Sequence, residues 1–162
     1  MCFPLPFVPK HTYHTGGCRF GADRPNGRKH AACDLLAPLD TPVLAVARGL
    51  ILKSPYKFYR AKNHVWTYAL EVKHTKGYIV RYTEVDRCAE GIETGASVEE
   101  GQTIAYVGAA LMLHFELYKG TEHGPLTDRS RAGFQRRADL LNPTSFIDSL
   151  RQELYSRMAT AQ

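Results

Sequence analysis

Two short stretches hold the residue types that chemistry needs. Lys29-His30-Ala31-Ala32-Cys33-Asp34 supplies an imidazole and a carboxylate four residues apart, and Leu111-Met112-Leu113-His114-Phe115-Glu116 supplies a second imidazole. Two His and one Asp are the three protein ligands that an open catalytic zinc site requires, with a further position left to water. Imidazole combined with carboxylate also suits zinc better than calcium or magnesium. The expected cofactor is therefore one zinc ion held by His30, Asp34 and His114, and the ligand chemistry points to hydrolysis.

Those ligands need rigid carriers. Leu111, Leu113, Phe115 and Leu117 alternate with Met112, His114, Glu116 and Tyr118, the pattern of a strand with one apolar face and one face toward a cleft. His114 then points out of a strand. Asp34 runs into Leu35-Leu36-Ala37-Pro38, and the proline disfavours helix before it, so His30 and Asp34 are expected on extended or looped chain. Further strand-like runs lie at 43–47, 50–53, 65–73, 78–85 and 103–107, with His74-Thr75-Lys76-Gly77 closing a hairpin between the third and fourth. Residues 1–29, rich in Pro and Gly, read as an arm over the sheet and a candidate wall of the cleft. Residues 53–63, with Tyr56, Phe58 and Tyr59, are too polar and aromatic for core and read as a surface loop, whether substrate-facing or plain. Residues 120–142 show no period and are expected as a long loop at the rim. Asn142-Pro143-Thr144 opens a helix over 143–159, with Phe146, Ile147, Leu150, Leu154 and Met158 on one face. The fold class expected is mainly β: an antiparallel β-sheet with long loops and a C-terminal α-helix, in a single domain over 1–162. A chain of this length buries about two-thirds of the surface its unfolded form exposes, enough for its own core.

Arg28 to Asp34, with Leu35 to Gly49 after it, resembles the first signature of the lysostaphin-like (LytM-type) zinc metallopeptidases, which begins His-x-Gly-x-Asp. Glu99 to Gly108 is similar to the turn and strand before the second signature of that family, and Leu113-His114-Phe115-Glu116-Leu117 to that signature itself. The resemblance runs in family order over residues 20–145. It implies a compact antiparallel β fold that binds one zinc and cleaves peptide bonds in the cross-bridges or stems of peptidoglycan. Two departures stand out. The family has His-x-His in the second signature where this chain has Met112, and Tyr-x-His-Leu in a middle strand where this chain has Tyr82-Thr83-Glu84-Val85. Both customary catalytic imidazoles are replaced, and a thioether takes no proton at neutral pH.

A carboxylate beside an activated water is a competent general base, so Glu84 is the expected catalytic residue, taking a proton from water and passing it to the leaving amine. The plainer reading of Glu84 is an exposed strand carboxylate. Met112 shares a strand face with His114 and would form an apolar wall, and Tyr82, Met112 and His123 are the candidate substrate-binding residues. His11, His14, Tyr82 and His123 are candidates for stabilising the oxyanion. Glu116 is either a partner for a ligand imidazole or a solvated strand residue, and His11, His14, His64, His74 and His123 are otherwise expected at the surface. The rival function is a non-catalytic module that binds peptidoglycan or activates a partner amidase, and loss of both imidazoles is what favours it.

The net charge of +5 suits a partner that is anionic, as peptidoglycan and its associated polymers are. Nucleic acid is disfavoured, because the basic residues are scattered apart from Arg129-Ser130-Arg131 and Arg136-Arg137 and no nucleic-acid motif occurs. Cys2, Cys18, Cys33 and Cys88 show no C-x-x-C spacing. Cys33 reads as buried and reduced, with a Cys18–Cys33 pair as the alternative. No signal peptide and no membrane span are legible in the prolines and short apolar runs of the start. A monomer is expected, acting at the wall or periplasm after specialised secretion or phage-type lysis. Similarity to a branch of small stand-alone family members implies an antibacterial effector with a cognate immunity protein.

Overall fold

The computed structural model describes residues 1–62 and 64–160. Asn63, Ala161 and Gln162 lie outside the described residues, so the expected 53–63 segment and 1–162 domain each reach past them. A two-stranded ribbon, β1 (Asp23–Arg24) and β2 (Arg28–Lys29), precedes the main sheet. That sheet comprises β3 (Cys33–Leu36), β4 (Pro42–Leu44), β5 (Gly49–Arg60), β6 (Trp66–His74), β7 (Ile79–Cys88), β8 (Ser97–Val98), β9 (Thr103–Val107), β10 (Met112–Tyr118) and β11 (Leu140–Leu141). One helix, α1 (Thr144–Thr160), closes the chain.

The strands run β11-β10-β7-β6-β5-β8, with β3 paired to β10 and β9 joining β7 to β4, all antiparallel. β10 is therefore flanked by β3 on one edge and β7 on the other. Period-two burial explains the arrangement: Leu113, Phe115 and Leu117 turn into a core with Leu35, Val72, Val80, Val85, Ile104 and Val107. The opposite face of β10 is buried as well, because Glu116 and Tyr118 lie beneath other side chains rather than in solvent.

The arm is more than a cover. Phe3, Leu5 and Tyr13 belong to the core, and Leu44 N–H donates to the Pro4 carbonyl at 2.9 Å. Tyr13 Oη donates to Asp148 of α1 at 2.6 Å, tying arm to helix. The Asn142 side chain accepts from Thr144 N–H at 3.0 Å and caps α1, with Pro143 immediately before the helix. Ile147 and Leu150 are buried and Phe146 and Leu154 pack partly buried against the core, whereas Met158 is 58% exposed, so the apolar stripe packs as far as Leu154.

Three expectations change. Residues 53–60 continue β5 as strand, because β6 pairs with them from Glu71 to Trp66. Register shifts after Ile51, Lys53 and Lys57 scramble the alternation that would have announced a strand. His74 is buried, bonded to the Ala47 carbonyl at 2.8 Å and the Tyr82 hydroxyl at 3.0 Å, and burial pushes its pKa down to about 4. All four cysteines are free thiols, so the Cys18–Cys33 alternative falls, and Cys33 is buried.

Candidate active site

The ligands meet because of strand register. Asp34 on β3 stands directly opposite His114 on β10, and a cross-strand pair brings side chains on one face together. His30 arrives from the loop before β3, its backbone held by bonds to Ala22 and Gly21, both 2.8 Å. His30 Nε2, His114 Nδ1 and Asp34 Oδ1 then converge at 3.1, 3.2 and 2.9 Å from one another. A tetrahedral zinc with ligand bonds of about 2.0–2.1 Å places neighbouring donors roughly 3.3 Å apart, so the triad has the spacing such an ion needs.

The outer nitrogens decide what faces inward. His30 Nδ1 lies 2.8 Å from the Arg19 carbonyl, which can only accept, so that nitrogen carries the proton and Nε2 presents its lone pair. His114 Nε2 lies 3.1 Å from the Glu116 carboxylate, which fixes the other tautomer and leaves Nδ1 facing Asp34. Two lone pairs and a carboxylate oxygen thus crowd one point, an arrangement that calls for a cation. The same negative surroundings favour positive charge on the imidazole itself. Burial alone would lower the His114 pKa, yet Asp34 and Glu116 raise it to about 9, while burial pushes Asp34 up and the two imidazoles hold it at about 2.

Glu116 is the hub behind the triad. Fully buried, it accepts from Arg81 Nε at 2.9 Å and Nη2 at 2.5 Å, Tyr118 Oη at 2.5 Å and Arg136 Nε at 2.9 Å. Arg81 is itself 1% exposed and donates onward to Thr127 at 2.9 Å. The partner reading of Glu116 is the one its geometry matches. Arg81 and Glu116 face each other across β7 and β10, and their opposite charges in two apolar strands were the available sequence signal for this network.

β7 brings Glu84 to the site by a bulge. Thr83 pairs with Ala69 and Val85 with Tyr68, leaving Glu84 as the extra residue, with φ of 65°. Gly108 N–H donates to the Glu84 carbonyl at 3.0 Å, and a Cβ on Gly108 would sit 2.9 Å from that oxygen and 3.0 Å from the Asp86 nitrogen. Only glycine permits that approach. The half-buried Glu84 side chain lines an open cleft of about 970 Å³ together with His30, Asp34, His114 and Met112. Burial pushes its carboxyl up, moderated by His114.

Of the other expected residues, Met112 does border the cleft. Tyr82 does not: it is fully buried, its hydroxyl accepting from Val46 N–H at 3.1 Å, because it lies on the core face of β7. His11, His14 and His123 are exposed and are not among the described residues lining the cleft, and His14 sits 2.9 Å from Asp148 instead. Arg24 is the group the sequence concealed in its Pro/Gly-rich stretch. It is anchored to the Gly17 carbonyl at 2.8 Å, with Nη2 3.7 Å from Asp34 Oδ2.

The family model for Peptidase family M23 matches residues 28–125, a span that contains His30, Asp34, Glu84 and His114. The chain belongs to peptidase family M23. This M23 chain is 31% identical over 106 residues to the peptidoglycan DD-endopeptidase ShyC of Vibrio cholerae, a match that covers 62% of the chain and 23% of that relative's length. Among solved structures, it resembles CbpA from L. salivarius REN with a TM-score of 0.62 and 18% identity, covering 94% of this chain and 97% of that one. A zinc-containing peptidase from Vibrio cholerae superposes with a TM-score of 0.55 and 23% identity over 76% of this chain and 40% of that one. The catalytic domain of a prophage-encoded M23 protein from Enterococcus faecalis gives 0.50 and 22%, over 85% and 95%. These likenesses establish the M23 fold. No helix among the described residues is long and apolar enough to cross a membrane.

Proposed function

We propose that this chain is a zinc-dependent peptidoglycan endopeptidase. One observation carries the reading: three acceptor atoms on His30, Asp34 and His114, their tautomers dictated from outside, converge beside a carboxylate in an open cleft. A zinc ion held there supplies Lewis-acid polarisation of a scissile carbonyl and makes water easier to deprotonate. Glu84 takes the proton of the attacking water and returns it to the leaving amine, replacing the imidazole absent at position 84. Arg24, fixed by Gly17, offers a positive charge to the developing oxyanion. Met112 forms an apolar wall. Family membership and the relative named a peptidoglycan DD-endopeptidase support the substrate. Delivery into a rival's periplasm or phage-type lysis is the setting suggested by resemblance, and survival of cells expressing the chain in their own periplasm reads it.

The test is digestion of purified sacculi by the zinc-loaded chain, with mass analysis of released muropeptides. Chelator-sensitive loss of cross-linked dimers is expected. Glu84→Gln should bind one zinc per chain yet lose about 10²- to 10⁴-fold in turnover, the usual range for a missing general base. The non-catalytic module, favoured by Met112 in place of an imidazole, predicts intact sacculi with protein bound. Unchanged lysis by Glu84→Gln would remove Glu84 from the mechanism.

A further inference from the structure

The charge of this chain is not spread over its surface. Of its twenty-one Lys and Arg, seven line the cleft, and of its sixteen Asp and Glu, two do. The fourteen cations and fourteen anions left over are equal in number, so by count the excess falls among the cleft-lining residues, where Lys29 and Arg136 are met by Asp23 and Glu116 from outside that lining; Asn63, Ala161 and Gln162 carry no charged side chain. The two acids, Asp34 and Glu84, are both committed to the proposed chemistry.

The cations come from three separate elements that surround the triad. The ribbon supplies Arg24, Arg28 and Lys29, the far half of the β5–β6 hairpin supplies Lys57 and Lys62, and the long loop before β11 supplies Arg129 and Arg136. Several are already engaged: Arg24 with Asp34, Lys29 with Asp23, Arg136 with Glu116, and Lys57 over the Trp66 ring at 5.5 Å. Arg28, Lys62 and Arg129 are exposed and have no carboxylate partner among the described residues. Three unpaired cations on three walls of one cleft concentrate an anionic ligand by focusing their field into it.

We propose that the cleft selects peptides bearing free carboxylates, as the stems of directly cross-linked walls do, over uncharged glycine bridges, with Arg28, Lys62 and Arg129 as the selecting residues. This rests on the peptidase reading for its substrate class. It replaces a generally basic surface with a local one: the charged residues outside the cleft lining are balanced in number. Arginine can grip a carboxylate through two parallel N–H bonds, and lysine offers a point charge.

The test uses one fluorescent cross-linked stem peptide with its carboxyl groups free and the same peptide with them amidated, bound to and digested by the zinc-loaded full chain. Anisotropy should show the free acid binding about tenfold tighter or more, since each exposed pair contributes about two- to fivefold. High salt should erase the difference as the screening length shortens from ~8 Å to ~3 Å. The triple variant Arg28→Gln, Lys62→Gln, Arg129→Gln should lose most of the preference while binding one zinc, which controls for folding. Equal binding of the two peptides overturns the proposal, as does an oligonucleotide that displaces the free acid more effectively than unlabelled peptide. Cleavage of both peptides at equal kcat/KM refutes the selection and leaves the peptidase standing. Preferential binding without cleavage refutes the peptidase and leaves the selection.

Discussion

Glu116→Gln changes one atom type at a fully buried charged site. The wild-type carboxylate, 0% exposed, accepts from two guanidinium groups, a phenol and an imidazole. A glutamine keeps one acceptor oxygen and turns the other position into an N–H₂ that faces donors. Arg81, 1% exposed, is left with only neutral oxygens of Tyr56, Thr127 and Tyr118. Breaking a buried pair in this way costs about 3–5 kcal/mol, because an uncompensated charge stays inside. The loss of the anion behind His114 also frees its tautomer and should weaken zinc binding about 10- to 100-fold. Urea unfolding in chelator measures the first quantity, and competition for zinc against a chelator of known affinity measures the second. Adding Arg81→Met should return part of the stability, since no buried cation then lacks a partner. The pH dependence has a definite sign. Burial pushes the Glu116 carboxyl up, but Arg81, His114 and Arg136 hold it well below its ordinary 4.5. A depressed pKa in the folded chain adds stability above 4.5 that is lost as pH falls through the folded value. In chelator, wild type should therefore lose stability below pH 4.5 more steeply than Glu116→Gln. A loss under about 1 kcal/mol with unaltered zinc affinity would refute this account of the network.

Arg24→Gln should lower kcat about 10²- to 10³-fold with little change in KM, the cost of one oxyanion donor; a loss confined to KM would make Arg24 a substrate anchor instead. Gly108→Ala forces a Cβ to within 2.9 Å of the Glu84 carbonyl, so steady-state kinetics should show reduced turnover with one zinc still bound, and wild-type turnover would detach the bulge from catalysis. Leu150→Ala, in α1 and fully buried, should cost about 2–5 kcal/mol in urea unfolding, whereas Met158→Ala, largely exposed, should cost little.

Legibility followed the range of the physics. The donor residues, the strand carrying His114 and the capped helix at 142–144 are local facts: residue chemistry, a period of two and an Asn-Pro-Thr start are written in consecutive residues. A non-helical setting for Asp34 was legible too, from Pro38. The sheet class followed from runs bounded by turns. By contrast, β5 beyond Lys53 was hidden because its bulges break the alternation that reveals a strand. Tyr82 could not be separated from cleft residues, since which face of β7 is inside depends on what packs against it. His74 took its burial from Ala47 and Tyr82, not from its neighbours in the chain. The sequence alone determined which atoms could hold a metal and that the usual imidazoles were missing. Only the tertiary structure decided that Glu84 bulges into the cleft, that Glu116 and Arg81 form one buried unit with His114, and that cations from three separate elements surround the triad. Bulge geometry, ion pairing and electric field depend on distances between residues far apart in the chain, and only folding sets those distances.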